Sequence, residues 1–124
     1  MKYKVVVFTS TRAEYGLLRE LCKLLESDDL FEFTLLVTGT HLEKEFGYTF
    51  SEIDKDCFSN LELIDLKLKK NKSPSEISAI LIKKISIFFS SLKPDFFIVL
   101  GDRYEALGAV FAAFLKKISI IHLH

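Results

Sequence analysis

The sequence predicts an α/β fold built on a parallel sheet, and three observations lead to this prediction. Short apolar runs rich in β-branched residues alternate along the chain with longer segments of helical periodicity. The runs at 4–9, 33–37 and 96–100 are mostly apolar, which is typical of strands covered on both faces. Helices separate the strands, and this alternation favours parallel strands joined by right-handed crossovers.

The first half of the chain predicts two buried strands, two helices and an edge strand. The strand at 4–9 precedes a helix at 12–26, whose leucines form an apolar stripe at helical spacing. The second strand, at 33–37, precedes a weaker helical segment at 50–56. Residues 61–68 alternate apolar and polar side chains, which indicates a strand at the edge of the sheet.

The second half predicts two helices around a third buried strand. Ser73 and Glu76 mark a helix start, with a proline at the first helical position. Pro94 ends this helix, and the strand at 96–100 follows it. The last helix, at 104–116, is apolar almost all round. We therefore expect it to lie deep in the protein or to contact another subunit, and we expect a homo-oligomer.

Composition and charge argue against several classes of function. The 124 residues suit one domain, and 17 basic residues balance 17 acidic ones, so we expect no nucleic-acid partner. No apolar stretch approaches the ~18–20 residues of a membrane span, so we expect no membrane partner. Cys22 and Cys57 are isolated thiols, which argues against a disulfide framework and favours a cytoplasmic protein. Cys22 is expected in the core.

Charged residues follow two of the predicted strands, at the sheet edge where open α/β folds bind their ligands. Asp102 and Arg103 come after the strand at 96–100, and Arg12 follows the first strand. An arginine beside the free amides of a helix start is suited to binding a diphosphate. The first turn lacks the glycine-rich dinucleotide fingerprint, which argues against an NAD-binding domain, and no cofactor is expected.

Three helix starts have the spacing of a capping box, in which a side chain and a later glutamate bind backbone amides reciprocally. The pairs are Thr11 with Glu14, Ser73 with Glu76, and Asp102 with Glu105. Glu14 and Glu105 are therefore expected to bind amides at their own helix starts. Asp102 can cap its helix and still present a carboxylate to the crevice.

The three histidines lie just beyond predicted strand ends. His41 follows the second strand, and His122 and His124 lie at the end of a fifth strand. All three are expected on the same edge of the sheet as Arg12 and Asp102, which places titratable groups around one crevice. A metal site is not expected, because no clear set of carboxylate or cysteine ligands accompanies them.

Four motifs that occur in order give the chain a family resemblance. They are TSTRAEYGLL at 9–18, VTGTHL at 37–42, GDRYE at 101–105 and HLH at 122–124. Together they resemble the hydrolysing UDP-N-acetylglucosamine 2-epimerase family, which supplies N-acetylmannosamine for sialic-acid synthesis. The resemblance implies a Rossmann-like three-layer parallel sheet, as the N-terminal part of a two-domain B-type glycosyltransferase-like fold. Residues 1–124 would then be a partial N-terminal domain, with the C-terminal domain absent from this chain.

The resemblance also implies roles for six residues around a UDP-sugar substrate. Asp102 and His124 would be catalytic, with the Asp102 carboxylate acting in proton transfer at C2 of the sugar. Arg12 would hold the diphosphate and Arg103 would add positive charge. His41 and His122 would lie near the sugar.

The family reaction eliminates UDP across C1 and C2 of the sugar and then hydrates the glycal. Relatives carry a catalytic glutamate beyond the position of the last motif, so this chain alone is expected to be inactive. Three alternatives stay open. One is a non-hydrolysing UDP-N-acetylglucosamine 2-epimerase, and another is a related epimerase of a diacetamido-sugar nucleotide. The third is a stand-alone binding or oligomerisation module that uses the helix at 104–116.

Overall fold

The computed structural model describes residues 2–39, 50–66 and 72–124, which form five strands and four helices. In chain order these are β1 (Tyr3–Thr9), α1 (Arg12–Ser27), β2 (Phe31–Thr38), α2 (Phe50–Asp54), β3 (Leu61–Ile64), α3 (Pro74–Leu92), β4 (Phe96–Leu100), α4 (Tyr104–Leu115) and β5 (Ser119–Leu123).

All neighbouring strands are parallel, in the order β3-β2-β1-β4-β5. The predicted parallel α/β sheet is therefore confirmed, with β3 at one edge. His41 lies outside the described residues, as does the end of the strand predicted at 61–68. Because every strand runs in the same direction, the carboxyl ends of β1, β4 and β5 all lie at one edge of the sheet.

Two apolar cores, one on each face of the sheet, make the protein a three-layer structure. Val5 and Val7 of β1 point to the face covered by α1 and α2, and Val6 and Phe8 point to the face covered by α3 and α4. This alternation follows from the two-residue period of a strand. Cys22 packs in the α1 core, as predicted, where burial and the nearby Asp56 charge raise the pKa of its thiol to about 12.

Capping boxes begin α1 and α3, and both confirm the sequence prediction. Thr11 accepts a hydrogen bond from the Glu14 amide at 3.2 Å, and Ser73 accepts one from the Glu76 amide at 3.2 Å. Each glutamate carboxylate in turn accepts a hydrogen bond from the backbone amide of its own cap residue. Such caps occupy helix-end amides that would otherwise lack partners, so both helices begin at defined residues.

Among the described residues, helix α4 packs closely on one side only. Its inward face consists of small residues, which let it approach α3 and the sheet closely. These residues are Ala106, Gly108, Ala109, Ala112 and Ala113. The outward face carries Leu107, Phe111, Phe114 and Leu115, all exposed. The helix predicted to be apolar all round is therefore buried on its alanine face and open on its leucine and phenylalanine face.

The described ranges contain neither a helix suited to cross a membrane nor a cluster of metal-binding side chains. No helix there is long and apolar enough to cross a membrane. No group of three or more His, Cys, Asp or Glu side chains there could hold a metal ion.

Candidate active site

A cleft of about 420 Å³ lies at the carboxyl edge of the sheet, between the turn after β1 and the turn after β4. It is lined by Thr11, Ala13, Glu14, Leu17, Leu100, Gly101, Asp102, Arg103 and His124. Parallel α/β sheets bind ligands at such a crevice, because helix starts and strand ends meet there. The cleft combines an apolar wall with two carboxylates, a guanidinium and an imidazole.

Gly101 directs Asp102 into this cleft. Its φ of 79° lies in the left-handed region that glycine adopts without strain, and it turns the chain sharply at the end of β4. The Gly101 amide donates to the Leu123 carbonyl at 3.0 Å, which ties this turn to β5. Asp102 follows directly and is exposed, and no hydrogen bond or ion pair with another described residue engages its carboxylate.

The structure corrects the prediction that Asp102 and Glu105 form a capping box. Helix α4 begins at Tyr104, so Arg103 is its N-cap, and no side chain caps it. Glu105 is therefore at the second helical position, one residue too early to return a hydrogen bond to the cap amide. Its carboxylate binds the Arg103 side chain instead. Asp102 is left without a capping role.

Arg103, which lines the cleft, forms a two-contact ion pair with the buried Glu105. The Arg103 Nε donates to Glu105 Oε1 at 3.2 Å, and its Nη2 donates to Oε2 at 2.9 Å. These hydrogen bonds raise the pKa of the guanidinium, with further help from the Glu14 charge. Arg103 therefore stays cationic, and its side chain is 47% exposed at the cleft. A fixed cation at this edge is suited to a phosphate group.

His122 and His124 lie beside each other at the end of β5, with ring centroids 4.5 Å apart. The His124 ring lines the cleft with Asp102. The His122 ring contacts the Gly101 carbonyl through Nε2 at 2.7 Å and lines a second, largely apolar cleft of about 450 Å³ between α4 and β5. Asp102 borders both clefts, so the structure brings these three predicted site residues together around Gly101.

Arg12 lies at the same edge of the sheet but outside the lining of the cleft. It begins α1, and its guanidinium pairs with Glu52 of α2 at 3.1 Å. Its side chain is 70% exposed, so this pair is a weak surface contact that a ligand can displace. The helix start places Arg12 near the site, while its side chain points toward α2.

The sequence predicts Glu14 only as a helix cap, and in the structure it also binds Ser10 and lines the cleft. Its Oε1 accepts from the Ser10 amide at 2.8 Å, the Ser10 hydroxyl at 2.8 Å and the Thr11 amide at 3.1 Å. These three hydrogen bonds fix the turn after β1, and the nearly buried Glu14 also lines the cleft. The capping-box spacing was the sequence signal that located this residue.

Asp56 organises a cluster that sequence reasoning missed. Its carboxylate accepts hydrogen bonds from the Tyr15 hydroxyl and from both Nε and Nη2 of Arg19. The hydrogen bond from Arg19 lowers the pKa of Asp56 to about 2, and burial raises the pKa of Tyr15. The cluster joins α1 to the turn after α2. No local spacing could have revealed it, because Tyr15 and Asp56 are 41 residues apart.

Known proteins resemble this chain in sequence over nearly its whole length. The family model described as UDP-N-acetylglucosamine 2-epimerase matches residues 23–124. A GDP/UDP-N,N'-diacetylbacillosamine 2-epimerase (hydrolyzing) of Campylobacter jejuni is 36% identical, over 98% of this chain and 32% of that protein. The chain thus spans about a third of the length of the curated relatives that it matches.

Solved structures agree on the fold. The crystal structure of a putative UDP-N-acetylglucosamine 2-epimerase from Listeria monocytogenes superposes with a TM-score of 0.82 at 23% identity, covering 98% of this chain and 31% of that one. The UDP-GlcNAc 2-epimerase of Neisseria meningitidis, solved with UDP-GlcNAc bound, gives a TM-score of 0.77 at 26% identity. It covers 96% of this chain and 31% of that one. The family match extends over most of the sequence, and on that ground the chain belongs to the UDP-N-acetylglucosamine 2-epimerase family.

Proposed function

We propose that this chain forms the N-terminal wall of the active site of a hydrolysing UDP-N-acetylglucosamine 2-epimerase, which converts UDP-GlcNAc to N-acetylmannosamine and UDP. The observation that carries the proposal is the cleft at the carboxyl edge, which Asp102 lines together with Arg103 and His124, and no other described residue engages the Asp102 carboxylate. The hydrolysing relative from Campylobacter jejuni supports the reaction class.

The proposed reaction needs a base for a weakly acidic proton and cations for a departing diphosphate. Asp102 accepts the proton from C2 of the sugar, or orients the group that does. As that proton leaves, the electron pair of the C2–H bond forms the C1=C2 double bond of a glycal. The C1–O bond breaks at the same time, and its electron pair leaves with UDP. Water then adds its oxygen to C1 and a proton to C2, from the face that gives the manno product. His124 is the second catalytic group, within the same cleft.

Charge stabilisation is assigned to the two arginines at this edge. Arg103 faces the cleft with a guanidinium that stays cationic, and Arg12 is free to leave its exposed pair with Glu52 when a diphosphate arrives. His122 and His41 are proposed to contact the sugar. The two free thiols support a cytoplasmic location, where such groups stay reduced.

A second candidate substrate is a diacetamido-sugar nucleotide, because a hydrolysing 2-epimerase named for such a sugar is 36% identical to this chain. Both substrates undergo the same elimination, so the described cleft suits either. Supplying UDP-GlcNAc and the diacetamido-sugar nucleotide separately, to a protein that continues this chain to the length of its relatives, distinguishes the two. The preferred substrate is the one with the higher kcat/KM.

The 124-residue chain alone is expected to show no turnover of UDP-GlcNAc and to bind UDP only at about millimolar Kd. That affinity corresponds to about −4 kcal/mol, which a few charge-assisted hydrogen bonds can supply from one wall of a cleft. Turnover also needs water exclusion and positioning from the opposite wall. Isothermal titration and an assay for released UDP measure both quantities. Micromolar affinity, or UDP release above a heat-inactivated control, would contradict this assignment.

We also propose that the chain self-associates through the outer face of α4. Four exposed apolar side chains lie on this face, and the Phe111 and Phe114 rings stack with centroids 6.5 Å apart. Two such faces packed together bury on the order of 1,000 Å², the lower bound of a specific interface. Phe114→Glu is expected to give a monomer in sedimentation velocity. Leu24→Glu, at an equally exposed apolar residue of α1, should keep the wild-type state. A wild-type chain that is monomeric at high concentration would refute the proposal.

A further inference from the structure

We propose that Glu105 is a positioning residue for Arg103, holding one edge of the guanidinium so that its other edge faces the diphosphate of the substrate. The inference rests on the proposed function, since it assigns the diphosphate to this cleft. Glu105 itself is buried, with 1% of its surface exposed, and it does not line the cleft. It acts through the side chain of Arg103.

The geometry of the pair leaves a defined set of donors free. Glu105 accepts hydrogen bonds from Nε and Nη2 of Arg103, which is the side edge of the guanidinium. No hydrogen bond from Nη1 reaches another residue in the described parts of the chain. Since guanidinium has five N–H donors in a rigid plane, holding one edge fixes the direction of the others. Arg103 lines the cleft, and its side chain is about half exposed there, so donors that Glu105 does not hold are available to a ligand.

The two residues differ in how firmly the fold holds them. Glu105 lies in the first turn of α4, a helix anchored by its buried alanine face. Arg103 precedes the helix in an extended conformation, and its long side chain would otherwise sample many rotamers. The Tyr104 ring, 5.9 Å from the guanidinium carbon, restrains one more side. The Glu105 carboxylate, which the helix holds in place, therefore restricts the Arg103 side chain to one orientation.

Charge neutralisation is the competing explanation, and it predicts an opposite result. If Glu105 only offset the charge of Arg103, a neutral residue there would strengthen the binding of an anion. If Glu105 orients Arg103, the same substitution weakens binding although the site becomes more positive. Glu105→Gln nearly preserves the side-chain volume and can accept only one of the two hydrogen bonds. Glu105→Asp keeps the charge but shortens the reach of the carboxylate.

The experiment measures two quantities on the chain, by NMR of the arginine Nε–H groups and by titration with UDP. Without nucleotide, exchange of the Arg103 Nε–H with water should accelerate in Glu105→Gln. UDP affinity should fall by about fivefold or more in both Glu105→Gln and Glu105→Asp, which corresponds to loss of one charge-assisted contact. Glu76→Gln removes an equal charge from the first turn of α3, away from the cleft, and should change neither quantity.

The outcomes separate this inference from the function on which it rests. If the wild-type chain binds UDP and Glu105→Gln binds it equally or more tightly, the positioning role is wrong while the nucleotide site stands. If the wild-type chain binds no UDP, the proposed function fails. The exchange of the Arg103 Nε–H still decides whether Glu105 holds Arg103, and unchanged exchange in Glu105→Gln overturns the inference.

Discussion

Asp102→Asn is expected to lower turnover of UDP-GlcNAc by roughly a hundredfold or more, with the fold preserved, in a protein that continues this chain to the length of its relatives. Asparagine has nearly the same volume but cannot accept the C2 proton. Because Asp102 caps no helix and its carboxylate is unpaired among the described residues, the substitution removes no stabilising contact seen in the structure. Measuring kcat together with deuterium incorporation at C2 in heavy water locates the defect in proton transfer.

Asp95→Asn is the matched control for this substitution. Asp95 precedes β4 and Asp102 follows it, so the two changes remove equal charge at opposite ends of one strand. Asp95 accepts a hydrogen bond from the Lys4 amide at 2.7 Å, which the asparagine carbonyl can also accept. Turnover should stay near wild type in this control. A stable and fully active Asp102→Asn variant would remove Asp102 from the reaction.

Gly39→Ala is expected to destabilise the chain by roughly 2–4 kcal/mol, the largest stability effect that we predict. Gly39 follows β2 with a φ of 68°, a conformation that strains any residue with a Cβ. An added Cβ would also lie 2.7 Å from the Ser10 carbonyl oxygen, which belongs to the backbone and cannot rotate away. The collision would displace Ser10, which Glu14 binds beside the cleft. Urea denaturation measures the free energy of unfolding.

Gly16→Ala provides the contrast, because it makes the same chemical change in a permissive setting. Gly16 lies within α1, and an added Cβ there would meet no atom within 4 Å. Alanine is favoured over glycine inside a helix, so this variant should be more stable by about 0.5–1 kcal/mol. A Gly39→Ala variant as stable as wild type would show that the β1 and β2 turns are not packed as described.

The strand and helix pattern could be predicted from sequence because local signals and tertiary packing agree in this chain. The β-branched runs became buried strands, and the Ser73 and Thr11 capping boxes began helices where their spacing placed them. At α4 the capping-box spacing of Asp102 and Glu105 gave a wrong prediction. The positive φ of Gly101 and the extended Arg103 delay the helix start, and the Arg103–Glu105 ion pair replaces the capping hydrogen bonds.

The positions of Asp102 and His124 in the site were predictable because both residues follow strand ends. Parallel strands bring Asp102 and His124 to one edge, and sequence reasoning could place both there. It could not tell that the Arg12 guanidinium turns toward Glu52, or that Arg19 and Asp56, 37 residues apart, join α1 to the turn after α2. Such contacts depend on how helices meet on the face of the sheet, which no local spacing encodes.

Mapping UDP binding onto the chain by heteronuclear NMR tests the central claim most directly, namely that this cleft is one wall of a nucleotide-sugar site. The expected result is that UDP shifts the resonances of Thr11, Glu14, Asp102, Arg103 and His124, and that uridine, which lacks the diphosphate, shifts them much less. Resonances of the outer face of α4 should not respond. UDP shifts confined to residues outside the cleft, or equal responses to UDP and uridine, would contradict it.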